Sequence, residues 1–144
     1  MENHRINPNY CDTVTIYNRV ASADNDGKEG WASTQLENCF FNVRTTVSAS
    51  EGMFNAEGTY ILRIPASTSY KPYQEWKDLK DKAGTFTASK GDLVVLGAVD
   101  DTIDGTKGHR ASDVLLKYQP DAFKVMSISD NSRYPFGGHY KLGG

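Results

Sequence analysis

A strict alternation of side-chain types near the start of the chain constrains the fold more than any other feature of the sequence. In residues 12–19, Val14 and Ile16 are each flanked by threonine or tyrosine. Because successive side chains of a strand point to opposite faces, this pattern predicts a half-buried β-strand. Further strand-like segments, separated by turn residues, lie at 31–47, 59–64, 85–87, 92–99, 123–128 and 139–142.

Two short helices are predicted between these strands. Pro72 suits a first helical position, and apolar residues with helical spacing follow it as far as Lys82. Ser112 suits the N-cap of a second helix that ends at Tyr118, before Pro120. The sequence therefore predicts a mainly β fold, a single antiparallel β-barrel or sandwich of six to eight strands with two short helices and long polar loops.

The whole chain, 1–144, is predicted to be one β domain, because 144 residues suffice for one hydrophobic core. We expect residues 1–10 to form a flexible N-terminal arm and residues 48–58 and 100–111 to protrude as loops. Both cysteines, Cys11 and Cys39, lie beside strand-like sequence and are predicted to be small core residues. Nine apolar residues on the strands are predicted to share the core: Val14, Ile16, Phe41, Leu62, Ile64, Val94, Leu96, Val125 and Ile128.

The overall composition argues against several functional classes. Sixteen Lys+Arg face eighteen Asp+Glu, and a net charge of −2 is unusual for a dedicated nucleic-acid binder. The longest apolar run, residues 93–99, is far shorter than a membrane-spanning helix, so no membrane association is expected. The N-terminal residues lack the apolar centre of a signal peptide, which predicts a cytoplasmic site of synthesis and folding.

Motifs that would carry chemistry are few. The loops beginning at Asp24 and Asp100 resemble calcium loops in composition, but they lack the bidentate glutamate of such sites. The histidines are isolated from each other and from the cysteines, which gives no support for zinc. The sequence thus predicts no catalytic residue, metal or cofactor, and hence no enzyme. One alternative remains open, a small β-barrel enzyme that uses the acids of segment 100–104 with His109.

Two apolar pairs outside the predicted strands are candidate partner contacts. Met53 and Phe54 stand together in an otherwise polar segment, and Tyr134 and Phe136 flank a proline in the last turn. Because methionine and aromatic residues are enriched in interface cores, we expect these four side chains to contact a partner.

A short basic run provides a candidate contact with nucleic acid. Lys107, His109 and Arg110 lie together in a glycine-containing loop, and such residues bind phosphate groups. The contact would be weak, because four residues, 107–110, carry it in a chain with an acidic balance.

Three segments together resemble a family of small phage proteins. They are the opening strand 12–18, the segment 90–97 with the sequence KGDLVVLG, and the closing stretch 123–144 with its strand, turn and terminal HYKLGG. The order of these segments is similar to that of the head–tail connector (head-closure or adaptor) proteins of tailed bacteriophages, especially an uncharacterised set from phages and prophages of low-GC Gram-positive bacteria. The resemblance covers nearly the whole chain, and none of its motifs is catalytic.

This resemblance implies a structural protein of the virion. Connector proteins of this kind are small β-barrels that form a ring between portal and tail, around the channel through which DNA leaves. The expected partners are copies of the chain itself, portal or adaptor proteins and tail proteins, with at most transient contact with exiting DNA. The expected location is the virion neck, after assembly in the cytoplasm of the host bacterium. Alternatives are a tail-completion (terminator) protein, a capsid-decoration protein and, outside the virion, a host binding module.

Overall fold

The strands and helices follow the expected order with altered bounds. The computed structural model describes residues 10–20, 30–50, 53–67, 69–79, 82, 84–104, 106–119, 121–134 and 138–144, and for 44–50 and 53–58 it describes the backbone. The elements are β1 (Asp12–Val20), β2 (Gly30–Ser50), β3 (Met53–Pro65), α1 (Tyr73–Trp76), β4 (Leu93–Leu96), α2 (Ala111–Tyr118), β5 (Ala122–Lys124), β6 (Ser127–Asn131) and β7 (His139–Gly143).

The seven strands form one antiparallel sheet in the order β5-β4-β1-β2-β3-β7-β6. Its two outermost strands are consecutive in the chain, because only Val125 and Met126 separate β5 from β6. The N–H of Val125 donates to the carbonyl of Asp92 at 2.7 Å, and the N–H of Met126 donates to Gly143 at 2.7 Å. The sheet therefore curls into a half-barrel, and the predicted mainly β fold with two short helices is confirmed.

The long strand β2 changes partner half-way along its length. Its first part pairs with β1 as far as Cys39, and its second part pairs with β3 from Phe40 onward. Asn38, immediately before this point, has a positive φ of 58°. Asparagine tolerates this left-handed conformation better than most residues, so it accommodates the bend between the two halves.

The main core fills the inside of the curled sheet. Stacked Tyr60 and Phe123, with ring centroids 5.0 Å apart, pack across it. Six of the nine predicted core residues are buried there, namely Val14, Ile16, Leu62, Ile64, Val94 and Val125, and the other three, Phe41, Leu96 and Ile128, are partly buried against it. All nine predicted residues therefore belong to the core, six of them buried within it and three partly buried at its margin.

A second cluster covers the opposite face of β1, β4 and β5. Tyr17, Leu93 and Val95 are buried there against Val114 of α2 and Ile103 of the preceding loop. The alternation in β1 had indicated one solvated face. That face is buried instead, because α2 and its loop lie over it.

Several local predictions are wrong. Residues 85–87 do not form a strand; Phe86 makes an isolated bridge to Tyr70. The first helix ends at Trp76 and not at Lys82. The second begins at Ala111, ahead of its predicted cap, and its start is held by Asp113, whose carboxylate accepts from the N–H of Arg110 at 3.0 Å.

The cysteines and the segment 48–58 also differ from expectation. Cys39 is buried as predicted, whereas Cys11 is exposed because it precedes β1. Segment 48–58 is not an open loop in its described part, since Ser50 pairs with Met53 and the ladder is continuous. Main-chain hydrogen bonds hold this hairpin together without the apolar alternation that marks a strand packed on a core. Of the predicted arm over residues 1–10 the structure describes Tyr10, whose ring lies 6.0 Å from the Phe40 ring. Residues 1–9, and residues 21–29 between β1 and β2, lie outside the described residues.

Candidate functional site

The hairpin arm, defined here as residues 44–50 of β2 and 53–59 of β3, extends beyond the rest of the sheet. Seven residue pairs join its two strands, from Arg44 with Thr59 to Ser50 with Met53. No other described strand pairs with it, because β1 ends its pairing at Cys39 and β7 begins its pairing at Ile61. Seven positions at about 3.3 Å each give an arm of roughly 20 Å.

The arm has two unpaired edges among the described residues. A strand edge presents a row of N–H and C=O groups that can pair with a strand of another chain. Met53 and Phe54 occupy the two positions nearest the end of the arm, where they pair with Ser50 and Ala49. The predicted contact residues thus lie on a two-stranded hairpin and not on a loop.

Tyr134, the other described candidate for partner contact, lies at the opposite end of the half-barrel. It is 58% exposed, and its ring lies 6.3 Å from the His139 ring. His139 pairs with Pro65 at one end of β3, whereas the arm continues from the other end of that strand. Phe136 lies outside the described residues. The structure therefore separates Met53 and Phe54 from Tyr134.

The loop before α2 is fastened to the barrel through Asp101. Its carboxylate accepts hydrogen bonds from Lys117 Nζ at 2.8 Å and from Tyr118 Oη at 2.6 Å. Tyr17 Oη donates to the Asp101 carbonyl at 2.7 Å. The hydrogen bonds from Lys117 and Tyr118 hold the pKa of Asp101 below its usual value. Buried Ile103 adds an apolar anchor, so in its described part segment 100–111 follows the barrel surface.

Lys107, His109 and Arg110 are all exposed on this loop, as a phosphate contact requires. Asp104 lies among them, and its carboxylate accepts from the N–H and hydroxyl of Thr106 at 2.9 and 2.6 Å. These two bonds, with a smaller contribution from His109, lower the pKa of Asp104. The acids of this loop are thus engaged in local turns and anchors. Among the described residues, no group of three His, Cys, Asp or Glu side chains could hold a metal ion.

A cationic cleft lies on the α2 face of the sheet, and sequence reasoning missed it. Its volume is about 420 Å³, and it is bounded by α2 and by strands β1, β2, β4 and β5. Three of its lining residues are the cations Arg19, Lys90 and Lys124, and none is acidic. No motif marks the cleft, because its cations are far apart in the sequence. About 70 positions separate Arg19 from Lys90, and about 35 separate Lys90 from Lys124. They come together through the pairing of β1 with β4 and of β4 with β5.

A buried carboxylate sits under this region. Asp92 accepts from the N–H of Ser89 at 2.8 Å, from Asn18 Nδ2 at 2.9 Å and from the N–H of Arg19 at 3.3 Å. Burial raises the pKa of Asp92 to about 6, although these hydrogen bonds act in the opposite direction. The Asn18 amide also joins the main chain of Thr87 in both directions, donating at 2.6 Å and accepting at 3.2 Å. This network fixes the turn that carries Lys90.

Comparison with known proteins identifies one family. A model described as a family of unknown function, DUF6751, matches residues 10–144. The chain belongs to this family. No curated protein and no solved structure matches it. The hairpin arm and the cationic cleft both lie within the range that matches DUF6751. Separately, no helix in the described part of the chain is long and apolar enough to cross a membrane.

Proposed function

We propose that this DUF6751 chain is a structural subunit of a tailed-phage virion, a head–tail connector or head-closure protein that forms a ring between portal and tail around the DNA channel. The observation that carries the proposal is the hairpin arm, a paired extension of the barrel with two edges that no described strand covers. The resemblance of segments 12–18, 90–97 and 123–144 to connector proteins supports the same function.

The arm suits heterologous contacts between neighbouring subunits. A closed ring forms when one patch of each subunit binds a different patch of the next. An arm that adds its edge to a neighbour's strand makes such a contact, and its affinity comes from main-chain hydrogen bonds. Pairing along seven residues would form about seven hydrogen bonds, each with a net contribution of about 1 kcal/mol before ordering costs. Because ordering costs offset much of this sum, one contact is weak by itself, and a ring strengthens it by repeating it between every pair of neighbours.

The two ends of the half-barrel suit different neighbours. The arm with Met53 and Phe54 continues from one end of β3, and exposed Tyr134 lies near the other end. A neck ring has the portal on one side and the tail on the other, so a subunit with separate contact elements at its two ends fits that position. The same geometry would serve a tail-completion ring. Copy number per virion separates both from a decoration protein, because decoration proteins coat the head in many copies.

Shortening the arm tests the proposal. In a phage or prophage that encodes this chain, residues 47–56 are replaced by Asn-Gly, which supports a two-residue hairpin between Thr46 and Glu57. The variant is expected to fold with a nearly unchanged melting temperature, because the arm lies outside the core, and to yield DNA-filled heads and free tails by electron microscopy. Normal joining of heads and tails by this variant would contradict the proposal.

Two double substitutions separate the tip residues from general surface effects. Met53→Ser with Phe54→Ser is expected to reduce joining while leaving the protein folded. The matched control, Leu116→Ser with Met126→Ser, removes two exposed apolar side chains elsewhere, with 71% and 59% exposure. It is expected to leave joining intact. If the tip variant unfolds, Met53 and Phe54 belong to the core and not to an interface.

A further inference from the structure

We infer that the cationic cleft between α2 and the strands β1, β4 and β5 binds the phosphodiester backbone of DNA. The inference extends the proposed function, since a ring around the channel meets DNA, but it rests on different residues from the arm. Arg19, Lys90 and Lys124 line the cleft, and their side chains are exposed.

The sheet register places two of these cations and an aromatic residue on one face. Lys124 pairs directly with Leu93, and Arg19 pairs directly with Trp31. Directly paired residues share a face, and Arg19 shares the face of Tyr17, two positions earlier on β1. Since Leu93 and Tyr17 both pack under α2, the face that bears the cations is the α2 face.

The positive charge of the cleft is not neutralised by the described part of the chain. No described carboxylate forms an ion pair with Arg19, Lys90 or Lys124. The nearby Asp92 is buried and engaged with main-chain and amide donors. Three cations that no described carboxylate pairs with, in a chain of net charge −2, make a local site for an anion.

The spread of the cations favours a chain of phosphates over a single phosphate. Strand β4 lies between β1 and β5, so Arg19 and Lys124 belong to strands about 10 Å apart. That separation is wider than a single phosphate group, so the cations can contact successive phosphates along one DNA strand. Arg110 is exposed and directly precedes Ala111, which lines the cleft.

DNA binding by the purified protein tests the inference. Fluorescence anisotropy of a labelled 20-base-pair duplex of arbitrary sequence is measured between 50 and 200 mM NaCl. Three phosphate contacts predict a fall in affinity of about 40-fold over this range. The variant Arg19→Gln/Lys90→Gln/Lys124→Gln is expected to bind at least about tenfold more weakly at 50 mM and to lose most of the salt dependence.

A charge-matched control separates the cleft from net charge. Lys71→Gln/Lys77→Gln/Arg133→Gln removes three cations that do not line the cleft. It is expected to bind within about threefold of the unmodified protein, and circular dichroism and melting temperature verify that both variants are folded. Equal losses in the two variants, or no loss in the cleft variant, would overturn the inference.

Competition identifies the ligand class. Displacement of the duplex by submillimolar inorganic phosphate at constant ionic strength would show a site for an isolated phosphate and contradict a backbone site. Tighter binding of an oligoglutamate of similar charge would show that the partner is an acidic protein, which also contradicts it. Ring formation is measured separately by mass, so an unmodified protein that forms rings but does not bind DNA refutes only this inference and leaves the proposed function standing.

Discussion

Buried Asp92 makes the stability of this protein depend on pH in an unusual direction. Burial raises the pKa of its carboxyl from the ordinary 3.8 to about 6 in the folded protein. Between these values the folded state retains a proton that the unfolded state has released. Stability from this group is therefore full below about pH 4 and is lost as pH rises through about 6.

The magnitude follows from the two pKa values of Asp92. Their full separation corresponds to about 3 kcal/mol, and the part lost between pH 4.5 and 6.5 is about 2 kcal/mol. Carboxylates with lowered pKa, such as Asp101 and Asp130, act in the opposite direction, and their contribution is lost below their ordinary value. The chosen pH range lies above that region and reports mainly on Asp92.

Urea unfolding at half-unit pH intervals measures this effect. The unmodified protein is expected to lose about 2 kcal/mol of unfolding free energy from pH 4.5 to 6.5, and Asp92→Asn is expected to remove this slope because it cannot titrate. Asp121→Asn, an exposed substitution outside the network, is expected to keep it. Stability of the unmodified protein that stays constant or rises over this range would refute the reasoning, because it would show that the three hydrogen bonds outweigh burial.

Three further predictions concern the core, the thiols and the anchored loop. Leu96→Ala is expected to cost about 1–2 kcal/mol in urea unfolding, below the roughly 2–5 kcal/mol of a fully buried leucine, because its side chain is only partly buried; a cost above about 4 kcal/mol would contradict that placement. In a thiol-reagent assay of the native protein, exposed Cys11 is expected to react quickly. Cys39 is expected to react only after unfolding, because burial raises the pKa of its thiol to about 12. Fast reaction of both thiols would contradict this prediction. Tyr118→Phe is expected to cost about 1 kcal/mol in urea unfolding, and exposed Lys117→Gln clearly less; the reverse order would show that the ion pair, and not the tyrosine hydroxyl, holds the loop.

Side-chain patterning predicted the parts of the fold that pack on the main core. The alternation around Val14 and Ile16 and the apolar run in β4 identified strands whose inward residues are indeed buried. The same reasoning failed for the hairpin arm, because a ribbon stabilised by its own main-chain ladder needs no apolar face. It also failed for residues 85–87. Thr85 and Thr87 flank the buried ring of Phe86, and in the described chain Phe86 makes one isolated bridge to Tyr70 and no strand ladder.

The candidate sites were less accessible to sequence reasoning than the core. Met53, Phe54 and Tyr134 were found because large apolar residues stand out in polar segments, but their separation at opposite ends of the barrel is a property of the topology. The cleft depends on the register between β1, β4 and β5. A shift of one residue in either pairing would move Arg19 or Lys124 to the opposite face, so no local pattern could reveal it.

The mass of the purified protein, alone and with the portal ring of its own phage, tests the central proposal most directly. Native mass spectrometry is expected to show a monomer or weak oligomer alone, because a single arm contact is weak, and a ring of several copies bound to the portal when both are present. The arm-shortened variant is expected to remain unassembled in the same mixture. A chain that stays monomeric beside a saturating amount of portal, or an arm-shortened variant that joins the ring as well as the full chain does, would contradict the account.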